Sequence, residues 1–185
     1  MHELLLIKFI DSVSNNENFS IQTLQKIAYQ NNIKISMLTA IFPKDIISLI
    51  DIYCDTIFSD IDMDKIDTIQ SFTNKVKILS SSVVEKMMQN EIFAKKFCMY
   101  LIKNPHYLGK ISYKFADFVM KNAKDASLDF NYYTKRVILS GIFIKAFIDI
   151  SKGLHCIDIV DKLELNIAKI GGISKIKQKV LGFLK

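Results

Sequence analysis

The residues best suited to recognition chemistry lie in the octet 129–136, which reads Asp-Phe-Asn-Tyr-Tyr-Thr-Lys-Arg. Its last residue, Arg136, is the only arginine among the 25 basic residues of the chain, and all the others are lysines. An arginine retained in so lysine-rich a chain indicates a position that needs a planar, permanently charged group with several donors. Tyr132 and Arg136 are four residues apart and therefore share a helix face. An aromatic side chain beside an arginine is typical of a protein interface.

The octet also has a plainer interpretation. Asp129 is predicted to cap a helix over 130–150, because its carboxylate can accept hydrogen bonds from the first-turn amides. Tyr132 and Tyr133 would then be half-buried tyrosines, and Arg136 a solvated cation in the second turn. Taken alone, the spacing favours this plain helix start over a recognition site.

Helical spacing of apolar residues predicts the elements that position the octet. Such residues recur three and four positions apart along the chain, for example at Ile21, Leu24, Ile27 and Ala28. Two prolines and six glycines leave too few turns for an all-β fold. We therefore predict an all-α protein of about eight to ten helices, with starts at Ser20 and at 43–45 and breaks at 104–105 and 125–129.

Composition and motifs argue against several classes of protein. No uncharged apolar stretch reaches the roughly 18 residues of a membrane-spanning helix, and the first residues lack the features of a signal peptide. Cys54, Cys98 and Cys156 are expected to be reduced thiols that fill the core of a cytoplasmic protein. The chain has no nucleophile elbow, phosphate-binding glycine loop or Glu-x-x-His pattern. We expect neither an enzyme nor a bound cofactor or metal.

Residues 20–58 have the residue pattern of a helix-turn-helix, with Ser36 predicted to cap the second helix. They are similar to the N-terminal module of the tetracycline-repressor superfamily, which runs from an Ile-Ala pair through a turn to Phe-Pro-x-Lys. DNA binding is disfavoured because residues 36–42 carry no basic or amide side chain to read base edges. Residues 1–74 also have a formal charge of −5, against +11 for residues 75–185. A repressor-type transcription regulator that senses a hydrophobic ligand remains the alternative function.

The octet, extended upstream to Asp125, resembles the signature of the ubiquinone-biosynthesis protein family typified by mitochondrial coenzyme Q protein nine. That signature runs Gly-Asp-x-Ser-x-Asp-Phe-Asn-Trp-Tyr-Thr-Lys/Arg-Arg and leads into an apolar run, as at 137–143 here. The resemblance extends over residues 3–170. This chain departs from the family at Lys124, where the family has glycine, and at Tyr132, where it has tryptophan. A second family tryptophan falls near Met120.

The resemblance implies an all-α, tetracycline-repressor-like bundle that does not regulate transcription. It implies a larger C-terminal domain that binds an isoprenoid lipid or phospholipid, and association with a membrane. It further implies presentation of a quinone precursor to a di-iron hydroxylase, with Asp129, Tyr132, Tyr133 and Arg136 facing that partner. We also expect a homodimer, no nucleic-acid partner and a cytoplasmic location on the inner face of the membrane. On this hypothesis, Arg136→Asp abolishes hydroxylase binding and leaves the fold intact.

The predicted organisation is a helix-turn-helix-like module at 1–58, a lipid-binding domain at 59–170 and a basic amphipathic helix at 171–185. The same apolar residues could line a cavity or fill an ordinary core; the candidates for lipid binding are Phe115, Phe118, Val119, Leu139, Ile142, Phe143 and Phe147, with Ile138 and Ile150 beside them. After a predicted hinge at Gly171-Gly172, an apolar stripe and lysines suit a membrane surface; the residues are Ile173, Lys175, Ile176, Lys177, Lys179, Val180, Phe183 and Leu184. A docked terminal helix, a pocket lid or a dimer contact are alternatives for this segment.

Overall fold

The computed structural model describes residues 1–125 and 130–183, with side chains described at all of these except residue 130 and residues 170–183. The described residues form ten helices and no strand, which confirms the predicted all-α class. The helices are α1 His2–Ser14, α2 Ile21–Gln30, α3 Ile35–Ile41, α4 Ile46–Ser59, α5 Met63–Asp67, α6 Phe72–Met87, α7 Glu91–Lys103, α8 Pro105–Asn122, α9 Phe130–Ser151 and α10 Cys156–Phe183. This arrangement is consistent with a tetracycline-repressor-like bundle.

Local signals account for several of the helix ends. Ser20 caps α2, because its hydroxyl accepts a hydrogen bond from the Thr23 amide at 3.3 Å. Asn32 has φ 57° in the turn before α3, a left-handed conformation that asparagine adopts more readily than most other residues. Pro105 occupies the first turn of α8 as predicted. The predicted cap at Ser36 is wrong: the cap position is Lys34, two residues earlier, and no side chain caps α3.

The most extensive packing between helices is that of α8 against α9. At their crossing the hydroxyls of Ser112 and Ser140 lie 2.9 Å apart and are buried, so small side chains let the two helices approach closely. Helix α7 packs on the same side of the bundle against α9, and α10 packs against α6 and α9. Helix α1 packs on both α2 and α7, so the N-terminal helices share one continuous apolar core with the rest of the molecule.

Helix α10 is helical from Cys156 to Phe183 and passes through Gly171 and Gly172, where the sequence predicted a hinge. The side chains of the predicted membrane-binding residues 173–183, and the whole of Leu184, lie outside what the structure describes. Among the described residues, no helix combines the length and the apolar character that crossing a membrane requires.

Candidate recognition site on α9

Arg136 lies at the centre of the site and is buried, with 1% of its surface exposed. Its Nε donates to Oδ1 of Asp117 on α8 at 2.8 Å. Its Nη1 donates to Oδ2 of Asp125 at 3.2 Å and to the carbonyl of Tyr132 at 3.0 Å. One guanidinium group therefore joins α8, the segment that follows α8 and the first turn of α9.

Tyr132 completes the surroundings of the guanidinium. The central carbon of Arg136 lies 3.4 Å from the centroid of the Tyr132 ring, which is a close cation–π contact. The two residues are one helical turn apart, as the spacing predicted. The Tyr133 ring meets the Tyr132 ring edge-on at 5.1 Å between centroids, and Tyr133 itself is 63% exposed. Arg136 thus supports a pair of tyrosines packed edge to face, of which Tyr133 is exposed at the surface.

A helix-terminal turn aims Asp125 at the arginine. At the end of α8 the Lys124 amide donates to the Lys121 carbonyl at 3.0 Å, and the Asp125 amide donates to the Met120 carbonyl at 3.1 Å. These are the two hydrogen bonds of a Schellman motif, whose C′ residue takes a left-handed conformation. That residue is Lys124, with φ 62°, at the position where the resembling family has glycine. The turn directs Asp125 back towards α9.

Charge is balanced around this buried cation. Burial raises the pKa of the Asp117 carboxyl, but hydrogen bonds from Lys121 and Arg136 outweigh it and hold the pKa below its usual range. Burial likewise lowers the pKa of Arg136, whereas its bond to Asp117 and the other nearby anions more than restore it. Lys135 adds a further bond to Asp125 at 2.9 Å. The Asp117 carboxylate is therefore charged near neutral pH.

The burial of Arg136 corrects the expectation of a solvated arginine. Its side chain faces two carboxylates in the interior and is not available for direct contact with a partner. We therefore now expect Arg136→Asp to destabilise the fold, because a third carboxylate would then lie beside Asp117 and Asp125. The sequence held a partial signal: a lone arginine needs acidic partners. Those partners precede it by 19 and 11 residues, so only the α8–α9 turn brings them together.

The outer face of α9 carries exposed apolar residues that are not among the predicted hydroxylase-binding residues. Val137 is 61% exposed and lies one turn after Tyr133. Ile138, a candidate for the lipid cavity, is also exposed and therefore faces away from the core. With Tyr132 and Tyr133 they form what we call the α9 surface: Tyr132, Tyr133, Val137 and Ile138. Asp129, the remaining predicted partner residue, lies outside the described residues.

The predicted lipid-binding residues lie in the core between α8 and α9 or at its edge. Six of them are buried: Phe115, Val119, Leu139, Ile142, Phe143 and Phe147. The ring of Phe115 packs edge-on against those of Phe143 and Phe147, at 5.6 and 5.3 Å between centroids. Phe118 is half-buried and stacks on Phe58 of α4 at 4.1 Å. These contacts fill the region with protein side chains.

A small cavity adjoins this core where α10 covers α9. It has a volume of about 10 Å³, and its apolar walls are Ile142, Ala146, Ile159 and Leu163. That volume is about the space of one water molecule and far below that of a lipid tail. In this conformation, therefore, the α9–α10 contact is closed.

The other chemistry-bearing side chains give no second site in the part of the chain that the structure describes. Cys54 and Cys98 are buried as predicted, and burial raises the pKa of the Cys54 thiol to about 12. Such a thiol is a poor nucleophile at neutral pH. No three His, Cys, Asp or Glu side chains of the described residues are grouped as metal ligands.

One comparison with known proteins bears on this geometry. Residues 108–151 match the COQ9 family model. The matched segment runs from the first turn of α8 to the end of α9 and includes Asp117, Asp125 and Arg136. It confirms the resemblance predicted from the octet, over about a quarter of the chain. No curated protein and no solved structure matches the chain significantly. The COQ9 match supports a role in ubiquinone biosynthesis, and COQ9 is an accessory family rather than a catalytic one.

Proposed function

We propose that this protein binds an isoprenoid quinone precursor and presents it to a di-iron hydroxylase of ubiquinone biosynthesis. The observation that carries the proposal is the COQ9 match, because it falls on the two helices that Arg136 ties together. In this proposal the protein acts as a homodimer on the inner face of the membrane. The basic segment 173–185 attaches it to anionic lipid.

The α9 surface is the proposed contact for the hydroxylase. It combines two tyrosines, a residue type that is enriched at protein interfaces, with two exposed aliphatic side chains. Arg136 contributes from inside, because it holds Tyr132 by ring stacking and by the backbone carbonyl. Its role in partner binding is therefore to position the tyrosines and not to contact the partner.

Pull-down of a co-expressed di-iron quinone hydroxylase tests the α9 surface. Tyr133→Asp combined with Val137→Asp should reduce capture by at least about tenfold, because both side chains lie at the proposed contact. Both are more than half exposed, so thermal unfolding should change little. Ile157→Asp, at an exposed residue of α10, is the matched control and should bind normally. Undiminished capture by the double variant would exclude this surface as the contact.

The apolar interior next to α9 is the proposed place of the isoprenoid tail. Aromatic and aliphatic side chains of α8 and α9 supply an apolar wall, and burying a tail against it gains roughly 25 cal/mol per Å². In the closed form α10 covers this wall. Along residues 156–169 it contributes three core residues: Ile159, Leu163 and Ile167. We infer that the tail enters between α9 and α10, because this limited contact costs less to open than the α8–α9 crossing.

Native mass spectrometry combined with lipid extraction of the purified protein tests the lipid proposal. We expect co-purified isoprenoid lipid, or uptake of a polyprenyl phenol added in detergent. Hydrogen exchange should then slow in α9 and in residues 156–169, while α2 and α3 stay unchanged. A protein that carries no lipid and takes up none would overturn lipid binding. If lipid uptake instead slowed hydrogen exchange in other helices, the proposed entry between α9 and α10 would be wrong.

A further inference from the structure

The N-terminal helices carry exposed apolar side chains that the proposed function leaves unused. Five of them, on α1, α2 and α3, form what we call the hairpin surface: Leu4, Ile7, Tyr29, Ile35 and Met37. Tyr29 is 83% exposed and Ile35 is 70% exposed. Single apolar residues on a surface are ordinary, whereas a group on adjoining helices indicates a contact site.

Two contacts bring α1 alongside α3. At one end, the His2 ring lies 6.0 Å from the ring of Phe42, the residue that follows α3. At the other end, the Lys8 ammonium donates to the side-chain oxygen of Asn31, shortly before α3 begins. The α1 members of the hairpin surface lie between these two contacts along α1, and its α3 members lie between them along α3. The exposed side chains of α1 and α3 therefore belong to two segments that these contacts hold together at both ends.

Lysines border the α3 part of this surface. Lys34 directly precedes α3, Lys44 follows it after two residues, and both are exposed. Residues 18–44 contain three lysines and no aspartate or glutamate. The third, Lys26, is paired with Glu17. This segment is thus locally basic, although the N-terminal part of the chain as a whole is acidic.

We propose that the hairpin surface is a membrane-docking surface for an anionic lipid bilayer. Its aliphatic side chains would enter the boundary between headgroups and acyl chains, as apolar faces of interfacial helices do. Tyr29 suits the headgroup level, where tyrosine is enriched. The flexible side chains of Lys34 and Lys44 can extend to lipid phosphates at either end of α3. This contact is additional to the one proposed for residues 173–185 and does not depend on it.

Charge and polarity favour a bilayer over a DNA duplex as the occupant. The major groove offers apolar side chains little beyond the methyl group of thymine, so Ile35 and Met37 would gain little there. Helix α3 also carries no basic or amide side chain for the base edges. A bilayer, in contrast, accepts both the apolar side chains and the flanking lysines.

Vesicle co-sedimentation of the full-length protein tests the apolar part of the proposal. On vesicles of phosphatidylcholine with phosphatidylglycerol, Ile35→Asp combined with Met37→Asp should weaken binding by at least about tenfold. Both residues are exposed, and an aspartate suits the first turn of a helix, so the fold should persist. Ile157→Asp, at a residue that is 75% exposed on α10, is the matched control and should bind like the unmodified protein.

A second pair of variants separates the two membrane contacts. Lys34→Glu combined with Lys44→Glu should weaken binding to the anionic vesicles and leave the weak binding to pure phosphatidylcholine unchanged. Lys175→Glu combined with Lys177→Glu tests the C-terminal segment instead. Binding that is lost only in this last variant would overturn the hairpin surface and leave the membrane part of the proposed function standing.

Other occupants of the hairpin surface would give different results, each of which overturns the proposal. Loss of a dimer in Ile35→Asp with Met37→Asp, measured by analytical ultracentrifugation with vesicle binding retained, would assign the surface to a second copy. A gel shift of a DNA duplex at low salt that Lys34→Glu with Lys44→Glu removes, again with vesicle binding retained, would assign it to nucleic acid.

Discussion

Aspartates form ion pairs in two different surroundings, around the buried Arg136 and at the surface along α4 and α5. Asp117 and Asp125 meet Arg136 in the interior, whereas Asp55 and Asp67 meet lysines at the surface, Lys114 at 2.8 Å and Lys124 at 2.7 Å. Surface pairs contribute roughly 0–1 kcal/mol each because water screens them. A buried pair costs much more to break, because it leaves an uncompensated charge. The single arginine of the chain thus stands in the pair with Asp125 that is buried on both sides, where its several donors can bond to more than one partner.

The largest expected effect is that of Arg136→Leu. It removes the cation between two carboxylates and should lower the free energy of unfolding by about 3–5 kcal/mol. Urea denaturation followed by circular dichroism measures the change. Lys65→Leu, which removes the cation of the exposed pair with Asp62, is the control and should cost less than about 1 kcal/mol. Equal losses for the two variants would contradict the distinction between buried and surface pairs.

Arg136→Lys tests whether the planar shape of the guanidinium group matters apart from its charge. An ammonium keeps the positive charge. It lacks the planar group that stacks on the Tyr132 ring while it donates hydrogen bonds to Asp117 and Asp125. We expect a loss of about 1–3 kcal/mol in the free energy of unfolding, again by urea denaturation. Because Tyr132 would lose its support, hydroxylase capture should also fall. A lysine variant as stable as the original would show that charge alone decides this position.

Asp117→Asn extends the comparison to the pH dependence of the free energy of unfolding. The pKa of Asp117 is lower in the folded protein than in the unfolded chain, so its contribution to stability is present above about pH 4 and is lost as pH falls through the folded value. The variant should lose about 1.5–3 kcal/mol at neutral pH. Its free energy of unfolding should also fall less steeply on acidification. Parallel acid profiles for the two proteins would refute the lowered pKa.

The smallest expected effect concerns Lys124, which combines a surface pair with a left-handed backbone. Lys124→Ala removes the pair with Asp67 and keeps the strained conformation, so stability should change by less than about 1 kcal/mol. Lys124→Gly removes the pair and relieves the strain, and should be more stable than the alanine variant by about 1 kcal/mol. Thermal unfolding of the two proteins gives the difference. An alanine variant as stable as the glycine variant would mean that the turn is unstrained.

The sequence predicted the helices well where side chains act locally. Ser20 and Pro105 mark helix starts through hydrogen bonds and steric effects within one turn, and both were recognised. Ser36 misled, because a serine one residue inside α3 resembles a cap. The resemblance to the COQ9 family was also found from the octet, whose residues are contiguous.

The interior position of Arg136 could not be predicted, because it depends on a turn. Glycine would have marked the left-handed residue at the end of α8, but Lys124 stands there and gives no such signal. Without that turn, nothing in the spacing brings Asp125 back to α9. The exposure of Val137 and Ile138 could not be predicted for a related reason. In an apolar run of seven residues, the sequence alone does not show which side chains face solvent.

The guanidinium of Arg136 bonds to α8, to the residue after its terminal turn and to a carbonyl of α9 at the same time. Sliding α9 along α8 by one turn, about 5.4 Å, would break the bonds to Asp117 and Asp125 together, because both reach outside α9. We therefore expect α8 and α9 to move as one unit. Opening between α9 and α10, the entry proposed for the lipid tail, would then leave the orientation of Tyr132 unchanged.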